Sequence, residues 1–140
     1  MDLKSGYPFW AVKNGLLKTF PQLTRDHQCE VVVIGGGITG ALIADELNRN
    51  GHYVVVLERR DVGWGSSAAS TALLQYEIDT HMTELAERYG EADAVRAYRA
   101  CAEAIGELES LAAGLGDVDF ERQQSLYYAS SEEDVASLQE

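Results

Sequence analysis

The chain has 140 residues, a formal net charge of −12 and 46% hydrophobic side chains. That length suits about one domain of the usual 100–200 residues, and the apolar fraction is enough for a core, which excludes a disordered or fibrous chain. The acidic balance argues against nucleic acid, whose phosphates require clustered Lys and Arg. No apolar run approaches the roughly 18 residues of a membrane helix.

Residues 1–29 read as a polar, irregular leader whose aromatics Tyr7, Phe9, Trp10 and Phe20 are too many for a loose tail. Some of them are expected to dock on the body of the protein. No basic region followed by an apolar core is present, so a soluble cytoplasmic protein is expected rather than a secreted one. The stretch "VVVIGGGITG", residues 31–40, then reads as a strand, a glycine turn and the start of a helix. Its β-branched run suits a strand buried on both faces of a parallel sheet. Ile38, Ala41, Leu42 and Leu47 follow helical spacing to about Asn50, and Gly51 supplies a stop. "YVVVLE", residues 53–58, is a second strand that ends in an acid. The two strands are expected to be parallel neighbours joined by a right-handed crossover, the short βαβ unit.

Gly35, Gly37 and Gly40 have the spacing G-x-G-x-x-G, a weak signal alone because glycine clusters also mark ordinary loops. Here the context supports it. The first glycine permits a sharp turn, the second lets backbone approach a pyrophosphate, and the third lets helix pack closely on strand. The helix start, with Gly36, Ile38 and Thr39 in the same turn, offers N–H groups and positive dipole to phosphates. Glu58, at the end of the second strand, stands where an acid about twenty positions on accepts hydrogen bonds from a ribose. Its carboxylate favours a free 2′-hydroxyl and disfavours NADP. Dinucleotide binding follows, with NAD and FAD both open, since the adenosine diphosphate half is common to them.

The next segment, "RRDVGWGSSAASTALLQYEID", is rich in small residues where a chain could run close past a bulky ligand. Ser66, Ser67 and Ser70 could bond pyrophosphate or ribityl oxygens, or could belong to an ordinary serine-rich loop. From Asp79 to about Gly114 the chain reads as helical with an interruption at Gly90. Val95, Tyr98, Ala102, Ile105, Leu108 and Leu111 form one apolar stripe. "QSLYYAS", residues 124–130, reads as a strand, and Ser130 or Ser131 caps a closing helix, Ser130 and Glu133 having the spacing of a capping box. Cys29 and Cys101 form no metal or redox pattern, and His27, His52 and His81 are scattered, so no metal site and no catalytic triad are expected. Tyr127 and Tyr128 would point to opposite faces of their strand.

"VVVIGGGITG" together with "LERRDVGWGSSAAS" resembles the N-terminal flavin-binding region of the D-amino-acid oxidase, glycine oxidase and sarcosine oxidase superfamily of FAD-dependent oxidoreductases. "ERQQSLYYASSEEDVASLQE" is similar to the region where such proteins enter their substrate-binding sheet, and "YPFWAVKNGL" resembles the leaders of bacterial members. The resemblance implies a Rossmann-like α/β fold with FAD as cofactor. It also implies oxidation of a C–N bond, less often a C–O bond, of a small-molecule amine or amino acid by hydride transfer to the flavin. It places Gly35, Gly37 and Gly40 at the phosphate turn, Glu58 at the ribose and Arg59 near the adenosine. Gly65, Ser66 and Ser67 fall beside the pyrophosphate. Ser70, Thr71 and Ala72 fall near the isoalloxazine, where this chain departs from the polar-glycine run of many members. The implied layout is a leader over 1–29, part of the FAD-binding domain over 30–120, and the start of a substrate domain over 121–140. Family members are usually more than twice as long, so the chain reads as truncated and inactive alone. The alternatives are a non-catalytic nucleotide-binding module or relic, and an NAD-dependent dehydrogenase fragment.

Overall fold

The computed structural model describes residues 6–15 and 18–139. The parts of the leader and of the closing helix that fall on residues 1–5, 16, 17 and 140 lie outside the described residues. The chain divides into two compact units, Met1–Ala72 and Leu73–Glu140.

In the first unit the leader forms a short helix α1, Phe9–Asn14, where irregular chain was expected. Pro8 precedes it and accepts the Val12 N–H at 3.2 Å, and the chain leaves at Gly15. Strands β1, Val31–Ile34, and β2, Val54–Leu57, pair in parallel with Val31 opposite Val54 and Ile34 opposite Leu57. Helix α2, Ile38–Arg49, connects them and packs on both. Its C-terminus shows why the helix stops there. The His52 N–H reaches the Leu47 carbonyl at 3.1 Å and the Gly51 N–H reaches Asn48 at 3.0 Å. These are the two bonds of a Schellman turn, and Gly51 holds its left-handed position at φ +86°.

The expectation of a strand buried on both faces is corrected. Val31 and Val33 are half-buried beneath α2, whereas Val32 is 50% exposed and Ile34 87% exposed. Among the described residues α2 covers one face and no element packs on the other, so the burial of β1 alternates with the pleat.

The second unit is helical. Helices α3, Met82–Tyr89, and α4, Glu91–Leu115, pack together on either side of Gly90, the interruption read from the sequence. Ala94 is 1% exposed, and the Tyr98 hydroxyl donates to the Thr80 carbonyl at 3.0 Å. The apolar stripe is largely as read, with Val95, Tyr98, Ile105, Leu108 and Leu111 half-buried, but Ala102 faces solvent and Cys101 takes the inner position. Residues 121–129 belong to no element, so the strand expected over 124–130 is not formed. A strand exists by pairing, and no backbone partner engages that stretch among the described residues. The closing helix α5, Asp134–Gln139, is capped one residue later than the Ser130 and Glu133 box. The Asp134 carboxylate accepts both the backbone N–H and the hydroxyl of Ser131 at 3.0 Å. No described helix is long and apolar enough to cross a membrane.

Candidate functional site

The site grows from the reversal between β1 and α2. The Gly35 N–H still belongs to the sheet, donating to the Leu57 carbonyl at 2.8 Å, and the chain then turns at φ +107°. Gly36 is buried; its N–H donates to Glu58 Oε2 at 2.7 Å, and its carbonyl accepts the Gly63 N–H at 2.8 Å. Gly37 is the N-cap of α2. A β-carbon on Gly40 would lie 2.0 Å from the Gly35 carbonyl oxygen and 3.3 Å from a Val33 methyl. The third glycine therefore stands where helix meets strand with no room for a side chain.

Glu58 leaves β2 beside this turn and holds it. Oε2 takes the Gly36 amide and Oε1 takes the Arg60 amide at 2.9 Å. The Gly36 hydrogen bond, then that of Arg60, holds the carboxyl below its ordinary value; the nearby Arg60 charge adds to this and burial opposes it. A carboxylate has about four lone-pair sites, so acceptor capacity remains on both oxygens. At the start of α2 the Ile38 N–H donates to Ser67 Oγ at 3.0 Å, which leaves the serine O–H to donate elsewhere. The Thr39 and Gly40 amides meet no acceptor among the described residues. They carry the positive end of the helix dipole.

Gly35, Gly36, Gly37, Ile38, Gly40, Glu58 and Ser67 are thus brought together, with Thr39 exposed at the helix mouth. The space of a β-carbon on Gly37 is bounded by Ser67 Oγ, 3.1 Å away. Apart from the Arg59 backbone amide, which also favours the Glu58 carboxylate, the remaining candidates lie outside the turn's bonding. Arg59 and Ser66 are exposed, and Gly65 turns at φ +86° beside the Arg60 guanidinium. Ser70 Oγ accepts the Ala72 N–H at 3.1 Å, its carbonyl accepts the Trp10 indole N–H at 2.8 Å, and Thr71 is exposed between them. Sequence reasoning missed Arg60 and Gly63; it named Trp10 only among the leader aromatics expected to dock, without a partner. Gly63 sat unmarked in the small-residue run; the part played by the Arg60 amide has no signature in a side-chain pattern.

No group of three His, Cys, Asp or Glu side chains is arranged for a metal ion among the described residues. Cys29 and Cys101 are free and half-buried. His81 bonds Thr83 and stacks on Tyr127, and the shallow clefts along α4 contain none of the candidate residues. The groups that do converge fit a dinucleotide: amides at a helix start, glycines without side chains, and an ionised carboxylate with capacity for hydroxyl donors.

The chain is 34% identical over 103 residues to a Bacillus subtilis (strain 168) protein named for a Rieske 2Fe-2S iron-sulfur centre, YhfW, a match covering 74% of this chain and 20% of that protein. It is 44% identical over 50 residues to the aerobic glycerol-3-phosphate dehydrogenase of Staphylococcus saprophyticus, covering 36% of this chain and 9% of the enzyme. It is 38% identical over 56 residues to the glycine oxidase of Geobacillus kaustophilus, covering 39% of this chain and 15% of that enzyme. The chain therefore spans about a fifth or less of the length of these relatives. No solved structure gives a significant match. The model of the FAD dependent oxidoreductase family matches residues 30–140, from the residue before β1 through the closing helix. With that match over most of its length, the chain belongs to the FAD dependent oxidoreductase family.

Proposed function

We propose that the first unit grips the adenosine diphosphate half of FAD, and that the whole protein oxidises a C–N bond of a small amine or amino acid. One observation carries the cofactor reading: the Glu58 carboxylate is fixed 2.7 Å from the Gly36 amide, beside the start of α2, with lone pairs still to offer. In this reading Glu58 accepts the ribose hydroxyls, while Gly37, Thr39 and the Ser67 hydroxyl face the pyrophosphate. Arg59 lies near the adenosine, and Gly65, Ser66 and Ser70–Ala72 line the path toward the flavin ring. Bound FAD supplies the hydride acceptor. The chain's own contribution is to bind and orient it.

The substrate class follows the resemblance to amino-acid oxidases and the likeness to a glycine oxidase. Oxidation at a C–O bond is the second reading, supported by the 44% identity over 50 residues to a glycerol-3-phosphate dehydrogenase. We also propose the division into a leader over 1–29, a cofactor domain over 30–120 and the start of a substrate domain over 121–140, and a cytoplasmic location. The test is to express the whole protein, record its flavin spectrum and assay dye reduction with amino acids, amines and glycerol 3-phosphate. Glu58→Ala removes one or two charge-assisted hydrogen bonds of about 1.5–3 kcal/mol each, so FAD affinity is expected to fall roughly tenfold or more. Equal affinity in wild type and variant would sink the assignment.

A further inference from the structure

Resting on the reading that the first unit holds FAD, we propose that Trp10 is a positioning residue of the cofactor site, supplied by the leader that precedes the family domain. The family match begins at residue 30, so α1 lies outside the matched region. Yet α1 packs on the short 3-10 turn Ser67–Ala69. Among the leader's aromatics Tyr7, Phe9 and Phe20 are exposed, whereas Trp10 is half-buried, with Phe9 edge-on to its ring at 4.9 Å. The indole N–H donates to the Ser70 carbonyl at 2.8 Å.

That bond closes one end of a segment whose other end is already tied. Ser67 is attached to the first amide of α2, and Ala68 is buried at 6% exposure. Beyond Ser70 the chain enters a left-handed residue, Ala72 at φ +57°, held by its N–H on Ser70 Oγ. A non-glycine residue stays in that region only where its surroundings over-determine it. Among the described residues Trp10 is the one donor to the Ser70 carbonyl. Trp10 thus sets where Ser70–Ala72 run relative to the glycine turn, the segment that stands toward the flavin ring.

The experiment compares wild type, Trp10→Phe and Trp10→Ala in the whole protein. The phenylalanine variant keeps an aromatic ring and drops only the N–H. Amide hydrogen exchange is followed over 66–72 without FAD, and FAD affinity and the visible circular dichroism of the bound flavin are then measured. Trp10→Phe is expected to speed exchange at 70–72, with α4 unchanged, and to weaken FAD by roughly two- to tenfold, the weight of one hydrogen bond. A change in the flavin's visible dichroism should accompany it. Unchanged exchange over 66–72, or faster exchange with unaltered FAD affinity and dichroism, overturns the proposal. A wild type that takes up no FAD overturns the cofactor reading itself, whereas normal wild-type uptake with an indifferent Trp10→Phe overturns only the part given to Trp10.

Discussion

Glu58 is a single side chain with two structural obligations, one to the turn before α2 and one to its own strand exit. Because its carboxyl titrates below the ordinary value when folded, the stability it contributes is complete above the unfolded value. It is lost as pH falls through the folded one. The stability difference between wild type and Glu58→Gln is therefore expected to be present at neutral pH and to disappear in acid below the normal carboxylate range. Urea midpoints across that window measure it; a difference that persists unchanged through the titration would contradict the assignment. Gly40→Ala tests a different contact. Its methyl would meet the Gly35 carbonyl at 2.0 Å, so helix and strand must part. The expected cost is about 1–3 kcal/mol or more, seen as a lower melting temperature. An unchanged melting temperature would show that the close approach is not real.

At the scale of elements, β1, α2 and β2 were legible because three independent signals agreed: β-branched runs, helical spacing and glycine punctuation. Gly51 belongs to that agreement, and Gly51→Ala is expected to destabilise the unit by about 1–2 kcal/mol through its left-handed backbone alone. Since Gly51 lies at the far end of α2 from the glycine turn, FAD affinity should hold while the urea midpoint drops. Other elements were less legible for identifiable reasons. Residues 124–130 have strand-like composition, but strand formation depends on a partner that local pattern cannot name. The helix at Phe9–Asn14 lies in a stretch too short for periodicity to register; Pro8 and Gly15 were its signal. In the candidate site, glycine spacing and Glu58 were readable as side-chain facts. The Gly63 and Arg60 contacts run through backbone amides, and only folding places those.

For the molecule as a whole, the described residues bury little large apolar surface. Val32 and Ile34 lie on the open side of the sheet, and Leu126, Tyr127 and Tyr128 are exposed at 83%, 66% and 71%. Apolar surface in contiguous patches drives association. A polypeptide of residues 1–140 is expected to self-associate at micromolar concentration, with a sedimentation coefficient that rises with loading. Ile34→Lys, which sits on the open face at 87% exposure, should reduce that association without unfolding the unit. A concentration-independent monomer would refute the expectation.

The grip of Glu58 on Gly36 also constrains how cofactor preference could be re-engineered. Acceptance of a 2′-phosphorylated nucleotide calls for a cation where Glu58, the proposed ribose acid, stands. Glu58→Arg would place one there, but it would also withdraw the acceptor from the buried Gly36 amide and loosen the loop proposed to receive the pyrophosphate. Selectivity and loop integrity are written into the same carboxylate. A redesign would have to supply a second acceptor for that amide before the swap could succeed.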